Sequence, residues 1–256
     1  TFASFDDLVA RLQEIPLLFR GSFKIWCERE GTHGFRSPDV GKAFGQVLQQ
    51  RGFTSDFKHP DNTIVVDIVD QRCFVGLLIA ENHCRRDYRV RFNNQSVHAC
   101  VAAALIRAAK LLKSDSILDP FCKDGVVAIE AYRAGITKVH AFDPLKNNVR
   151  YATTNAAMGN VLLTFQNYDL TWINTLFRER SIDYIITNFF ISQRDPNFRH
   201  LLTEFFTQAD YVARKGIALV TNKPAVVKEH ANRFTLSAER LICVGGMEYS
   251  LLIFRR

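Results

Sequence analysis

The chain is poor in features that would mark a metalloprotein, a secreted protein or a membrane protein. Its six cysteines, at 27, 73, 84, 100, 122 and 243, form no CxxC pair, and neither they nor the seven histidines show a metal-like spacing. That argues against a zinc module and a disulfide framework and predicts reduced, buried thiols in an intracellular, cytoplasmic protein. No metal site is expected. Long apolar runs are missing too: the longest window, 97–112, is interrupted by His98, Arg107 and Lys110, so no membrane span is expected. No charged-then-apolar leader opens the sequence, and the start at Thr1 reads as a trimmed or fragmentary chain. There is no internal repeat, no low-complexity segment and no complete G-x-G-x-x-G, the last of which argues against a nicotinamide-dependent enzyme.

What is present is an ordinary globular composition, 47% hydrophobic and 23% charged over 256 residues, enough for one large core or two modest ones. The net charge of +7 is uneven. Residues 1–97 carry 13 Lys/Arg against 12 Asp/Glu, and residues 98–256 carry 20 against 14. A local basic cluster, Arg85, Arg86, Arg89 and Arg91, precedes the second part. A basic excess fits an anionic partner such as RNA, although many basic proteins bind no nucleic acid. The cluster reads equally as an RNA contact or as a solvated linker.

Residues 4–14 read as a short amphipathic helix capped by Ser4. Alternation of Phe23, Ile25 and Cys27 with Lys24 and Trp26 predicts a strand over 22–28. Ser37, Pro38 and Asp39 read as cap, first helical position and first-turn acid of a helix running to Gly52. Strands are expected over 63–69 and 73–79. Asn93 to Ser96 then separates this small α/β unit from an Ala-rich helix, 97–112, for which Ser96 reads as the cap. Strands near 116–121, 138–143, 161–166, 182–188 and 216–221 alternate with helices, one of them starting at Asp195-Pro196. Two last strands, 238–244 and 248–254, follow each other directly. This order predicts a parallel sheet covered on both faces, with an antiparallel end.

The most informative stretch is Ser116 to Gly125 with Val126 to Ala131 behind it: a buried strand, a tight turn and a helix start. Such a turn presents free backbone N–H groups to a polar ligand. Asp119 stands at the carboxyl end of the strand, and Asp143, eighteen residues after Gly125, closes the next one. An acid at that distance suits a ribose, whose two hydroxyls a carboxylate can accept. A nucleoside-cofactor site is the leading expectation.

Asp119-Pro120-Phe121-Cys122, Gly125 and Ile129-Glu130-Ala131 resemble the first motif of THUMP-containing RNA methyltransferases, which reads Asp-Pro-Phe-Cys-Gly-Ser/Thr-Gly and runs on to Ile-Glu-Ala. Ser96 to Leu105 resembles the helix before that motif. Gly21 to Ser37 and Pro60-Asp61 resemble the THUMP domain itself, with residues 1–20 as the tail of a preceding segment. The resemblance implies a Class I, Rossmann-like α/β methyltransferase domain over 93–256 behind a small α/β THUMP-like RNA-binding domain over 1–92. It implies S-adenosylmethionine as cofactor, held by Asp119, Phe121, Gly125, Asp143 and Asp169. It also implies methylation of a guanine N2 in tRNA, gripped at the acceptor end by THUMP, and leaves open an activating partner subunit.

Two positions depart from the family pattern. Lys123 and Asp124 stand where small residues let a ligand approach the backbone. Asn188-Phe189-Phe190-Ile191 stands where Asp/Asn-Pro-Pro-Tyr/Phe is expected. In the family mechanism the Asn oxygen and a following carbonyl accept the two amine hydrogens, which localises and aims the lone pair, and the aromatic stacks on the extruded base. Asn188 keeps one acceptor, and Phe189 or Phe190 is the candidate stacking face. The loss of two prolines leaves the loop direction unspecified. The alternative is therefore a catalytically inactive methyltransferase fold that binds RNA.

Plainer readings exist for each residue. Asp119 and Asp143 read alternatively as helix caps, Asp169 as a surface residue and Cys122 as a small core residue. Lys123 points into solvent or pairs with the cofactor's carboxylate. Gly125 supplies a permissive backbone angle, Asn188 a turn, and the two phenylalanines core packing.

Overall fold

The computed structural model describes residues 1–16, 18–80, 84–190, 198–244 and 246–256. Ile191 and the helix start expected at Asp195-Pro196 lie outside these residues. The chain divides into two compact units, 1–83 and 84–256.

The first unit holds α1 (Phe5–Glu14), β1 (Phe23–Glu30), α2 (Ser37–Gln50), β2 (Asn62–Val69) and β3 (Arg72–Leu77). The Ser4 hydroxyl caps α1 by accepting from the Asp7 N–H. The cap of α2 differs from expectation. Arg36 occupies the cap position, Asp39 accepts from its backbone N–H at 2.8 Å, and Ser37 lies inside the helix, where its hydroxyl accepts from Arg29 at 3.3 Å. The sheet order is β1-β2-β3, the first pair parallel and the second antiparallel. Its core joins Leu8 and Leu12 of α1, Val40, Phe44 and Leu48 of α2, and Ile64, Val66 and Ile68 of β2.

The second unit runs α3 (Ala99–Ala108), β4 (Ser116–Asp119), α4 (Val126–Arg133), β5 (Lys138–Phe142), α5 (Lys146–Met158), β6 (Phe165–Gln166), α6 (Ile173–Leu176), β7 (Ile182–Asn188), α7 (Phe198–Val212), β8 (Ala213–Thr221), α8 (Pro224–His230), β9 (Thr235–Val244) and β10 (Met247–Arg255). The sheet order is β6-β5-β4-β7-β8-β10-β9, with β10 antiparallel to both β8 and β9. Five parallel strands with an antiparallel pair at one end match the sequence pattern. β6 is far shorter than the expected 161–166. The cap of α3 is His98, whose imidazole accepts from Cys100 N–H, and not Ser96.

Period-two burial builds both faces. Ile117, Tyr184, Ile186, Ala218, Val220, Leu251 and Ile253 pack with α3 and α4, while Leu118, Ile185, Ile217, Leu219, Leu252 and Phe254 pack with α6, α7 and α8. All seven residues of β7 are buried, as befits a central strand. Where β8 meets β10, a Cβ on Gly216 would lie 2.2 Å from the Phe254 carbonyl oxygen. Gly216→Ala is therefore expected to cost about 2 kcal/mol and to lower Tm by about 5 °C; an unchanged melting curve would contradict this packing.

The boundary between the units precedes the expected division at 92/93 because residues 84–92 belong to the second core. Arg86 donates to both Glu130 oxygens at 2.8 and 3.1 Å, the Tyr88 hydroxyl donates to Glu130 at 2.8 Å, and Arg89 donates twice to Asp124 at 3.0 and 2.8 Å.

Candidate active site

β4 and β7 are parallel neighbours whose onward connections leave in opposite directions, β4 toward β5 and β7 toward β8. Their carboxyl ends thus form the crevice where open α/β sheets bind ligands. Asp119 ends β4 and Asn188 ends β7.

Asp119 is fully buried. Its Oδ1 accepts from the Thr187 hydroxyl at 2.7 Å and from the Phe121 N–H at 3.3 Å, whereas its Oδ2 is buried without a partner. Burial pushes its pKa from 3.8 up to about 7, against the lowering effect of those two donors and of Lys123. Because the folded value lies above the unfolded one, the stability this group contributes is full below pH 3.8 and is lost as pH rises to about 7. Asp119→Asn, which cannot ionise, is accordingly expected to stabilise the fold by on the order of 2 kcal/mol at pH 7.5 and by almost nothing at pH 4. Denaturant titrations at the two pH values check this; an equal gain at both would remove ionisation as the cause.

The turn after β4 contains two residues in the left-handed region, Lys123 at φ 51° and Gly125 at φ 81°. Gly125 is needed there twice over, because a Cβ would also sit 2.9 Å from the Ala152 Cβ of α5. The close approach that it permits is to that helix.

Lys123 does not point into solvent. It is 7% exposed, and its ammonium donates to the Gln95 carbonyl at 3.1 Å and the Asn188 carbonyl at 3.0 Å. Burial lowers its pKa from 10.5 to about 8, with Asp119, Asp143 and Asp124 opposing the shift. Asn188 is likewise buried. Its Nδ2 donates to the same Gln95 carbonyl at 2.7 Å, and its Oδ1 is left without a partner.

Asp143 closes the group. Its Oδ2 accepts from the Lys123 N–H at 3.0 Å, and its Oδ1 accepts from the Leu145 N–H at 3.0 Å and from Asn148 at 2.8 Å. Both oxygens are thus already engaged in organising the turn before α5. Asp119 and Lys123 from the end of β4 and its turn, Asp143 after β5 and Asn188 at the end of β7 therefore come together from three separate stretches of chain.

Other candidate residues lie differently. Asp169 is exposed and caps its own short turn, accepting from the Thr171 N–H and hydroxyl at 3.0 Å each. Phe189 is 2% exposed, and its ring packs among Phe121, Phe198 and Phe205. It is core and offers no face to a base, because the strand end turns it inward. Phe121 points into the same aromatic group. Phe190 is half-buried against Tyr249. Of the basic cluster, Arg86 and Arg89 are committed to the buried acids Glu130 and Asp124. Only Arg85, paired with Asp87 at 2.8 Å, and Arg91 are exposed. Cys122 is a buried core residue. Among the described residues no group of His, Cys, Asp and Glu is placed to hold a metal.

Residues 86–246 match the RMKL-like methyltransferase domain, and residues 2–78 match the THUMP domain. The chain belongs to the RMKL-like methyltransferase family. Among relatives, it is 29% identical over 238 residues to a tRNA (guanine(6)-N2)-methyltransferase of Thermus thermophilus, an alignment covering 89% of this chain and 70% of that protein. A protein of the same description from Archaeoglobus fulgidus is 30% identical over 137 residues, or 49% of this chain and 35% of that one, so the match spans about a third of that relative. The crystal structure of TrmN from Thermus thermophilus superposes with a TM-score of 0.71 at 25% identity, covering 100% of this chain and 80% of that one.

Within this methyltransferase fold the structure adds partners that the sequence did not mark. Gln95 carries no motif signal, yet its carbonyl receives both Lys123 and Asn188. Thr187 is not marked by register either: β4 and β7 pair Leu118 with Ile185, so Thr187 lies one position beyond the level of Asp119 and its hydroxyl reaches back to the carboxylate.

Proposed function

We propose that the protein is an S-adenosylmethionine-dependent RNA methyltransferase acting on N2 of a guanine in tRNA, with the THUMP domain gripping the acceptor end. The observation that carries this reading is the pair of buried acceptors without partners, Asp119 Oδ2 and Asn188 Oδ1, at the carboxyl ends of β4 and β7. Buried polar atoms are nearly always satisfied, so an unsatisfied pair in a ligand crevice fits donor groups arriving from outside the chain. When bound, the methyl donor supplies a sulfonium carbon already activated for transfer. The chain therefore needs to contribute no strong nucleophile.

In this reading Asp119 receives the donor's N–H groups and Asp143 orders the turn beside the ribose. Asn188 Oδ1 accepts one hydrogen of the guanine amine, holding its lone pair out of conjugation and in line for transfer. Phe190 replaces Phe189 as the aromatic nearest the base. Arg85 and Arg91 remain as basic contacts for RNA, while Arg86 and Arg89 serve the fold. Asp169 acts only through its exposed position. A cytoplasmic site of action is part of this proposal. No described helix is long and apolar enough to cross a membrane.

The buried Lys123 ammonium favours a second reading, a methyltransferase fold kept for RNA binding. Titration calorimetry with S-adenosylhomocysteine separates the two, followed by transfer of labelled methyl groups to unmodified tRNA. Micromolar binding with label in the RNA is the expected result; binding of RNA without binding of the nucleoside would leave only the second reading.

A further inference from the structure

Lys123 sits at the carboxyl ends of β4 and β7, and three observations describe how. Its backbone adopts φ 51°, a region in which a lysine is held only by its surroundings and glycine fits without strain. Its ammonium is buried and satisfied by two main-chain carbonyls, Gln95 at 3.1 Å and Asn188 at 3.0 Å. The two side-chain acceptors at the same strand ends, Asp119 Oδ2 and Asn188 Oδ1, are nevertheless left without partners. The lysine therefore fills the crevice without completing it. A buried cation that satisfied the site would have used those oxygens.

We infer that Lys123 is an internal occupant of the donor pocket, a cation that must leave before a nucleoside bearing a charged amino-acid tail can enter. The inference rests on the donor reading above. An S-adenosyl compound brings its own ammonium to the carboxyl end of β4, and two ammonium groups repel strongly where little water screens them. Asp119, Asp143 and Asp124 surround the lysine and attract any cation in its place. The turn itself is held by the Lys123 N–H on Asp143 at 3.0 Å, a bond that does not involve the side chain, so the ammonium can leave without undoing the turn. Burial already weakens the ammonium's hold on its proton, so the occupied state carries a desolvation cost. The lysine and the ligand thus compete for one cation position, and the residue sets how tightly the donor binds.

The test uses Lys123→Gly and Lys123→Asn, both compatible with a left-handed backbone, with folding of each confirmed by its melting curve. S-adenosylhomocysteine and adenosine are titrated calorimetrically into the full chain and both variants. The expected result is S-adenosylhomocysteine affinity raised tenfold or more in both variants. Adenosine, which lacks the amino-acid tail, should change less than twofold. Unchanged S-adenosylhomocysteine affinity would overturn the inference alone, and weakened affinity would make the lysine one of the ligand's own contacts. If S-adenosylhomocysteine binds none of the three proteins, the donor reading fails and takes the inference with it.

Discussion

Asn188→Ala is expected to cut methyl transfer to tRNA by about 100-fold or more while S-adenosylhomocysteine affinity changes less than about threefold. The split follows from where the side chain points. Its Nδ2 is spent on Gln95, a protein contact, and its Oδ1 is the free acceptor. Removing that acceptor deprives the guanine amine of its orienting partner, an interaction worth most as the amine approaches the methyl carbon, so kcat should fall with little change in KM for the nucleoside. Asn188→Asp discriminates further: it keeps the acceptor, loses the bond to Gln95 and should retain more activity than alanine. Single-turnover rates with saturating tRNA give the readout. Undiminished turnover in Asn188→Ala would remove this residue from the mechanism and turn attention to main-chain acceptors at the end of β7.

The loop that holds Asn188 also shows why the missing prolines mislead a reader of sequence alone. Prolines restrict a loop through φ, and their loss reads as freedom. Here the same stretch is held by other means. The Asn188 carbonyl accepts from Lys123, the Phe189 N–H donates to the Val220 carbonyl at 2.9 Å, and the Phe189 ring is locked among aromatic neighbours. Two departures from the family motif, Lys123 in one turn and Phe189 in another, are thus linked in space although 66 positions apart in sequence. No local pattern reports such a link, because neither residue makes sense without the other.

Strand direction, by contrast, was legible. Hydrophobic runs of six or seven residues, separated by helical periods, dictate a parallel sheet, and the absence of a helix between the last two strands dictates the antiparallel pair. Acids at the carboxyl ends of the first two strands were legible for the same reason, since a charged residue ending an apolar run has few other uses. Asp169 and the arginines were not, because exposure and ion pairing are decided by what packs opposite them. Arg86 and Arg89 read as an RNA contact only until Glu130 and Asp124 are seen beneath them.

The second large effect comes from that pairing. Arg89→Ala is expected to destabilise the protein by about 3–5 kcal/mol, enough to lower Tm by roughly 10 °C. The reason lies in Asp124, which is fully buried, accepts from Arg89 at 2.8 and 3.0 Å and from the Asn93 N–H at 3.3 Å, and keeps one oxygen without a partner. Without the guanidinium a carboxylate would remain in the core with a single weak donor. If the loss is that of an uncompensated charge, the double variant Arg89→Ala, Asp124→Ser should recover much of it, because serine is the family's residue at this turn and needs no counterion. If the loss comes from packing of the arginine stem, the second substitution should recover nothing. A double-mutant cycle in urea reads the difference directly. Recovery would mean that the acid in the turn and the arginine before it are maintained as a pair, and that this arginine was never available to the RNA.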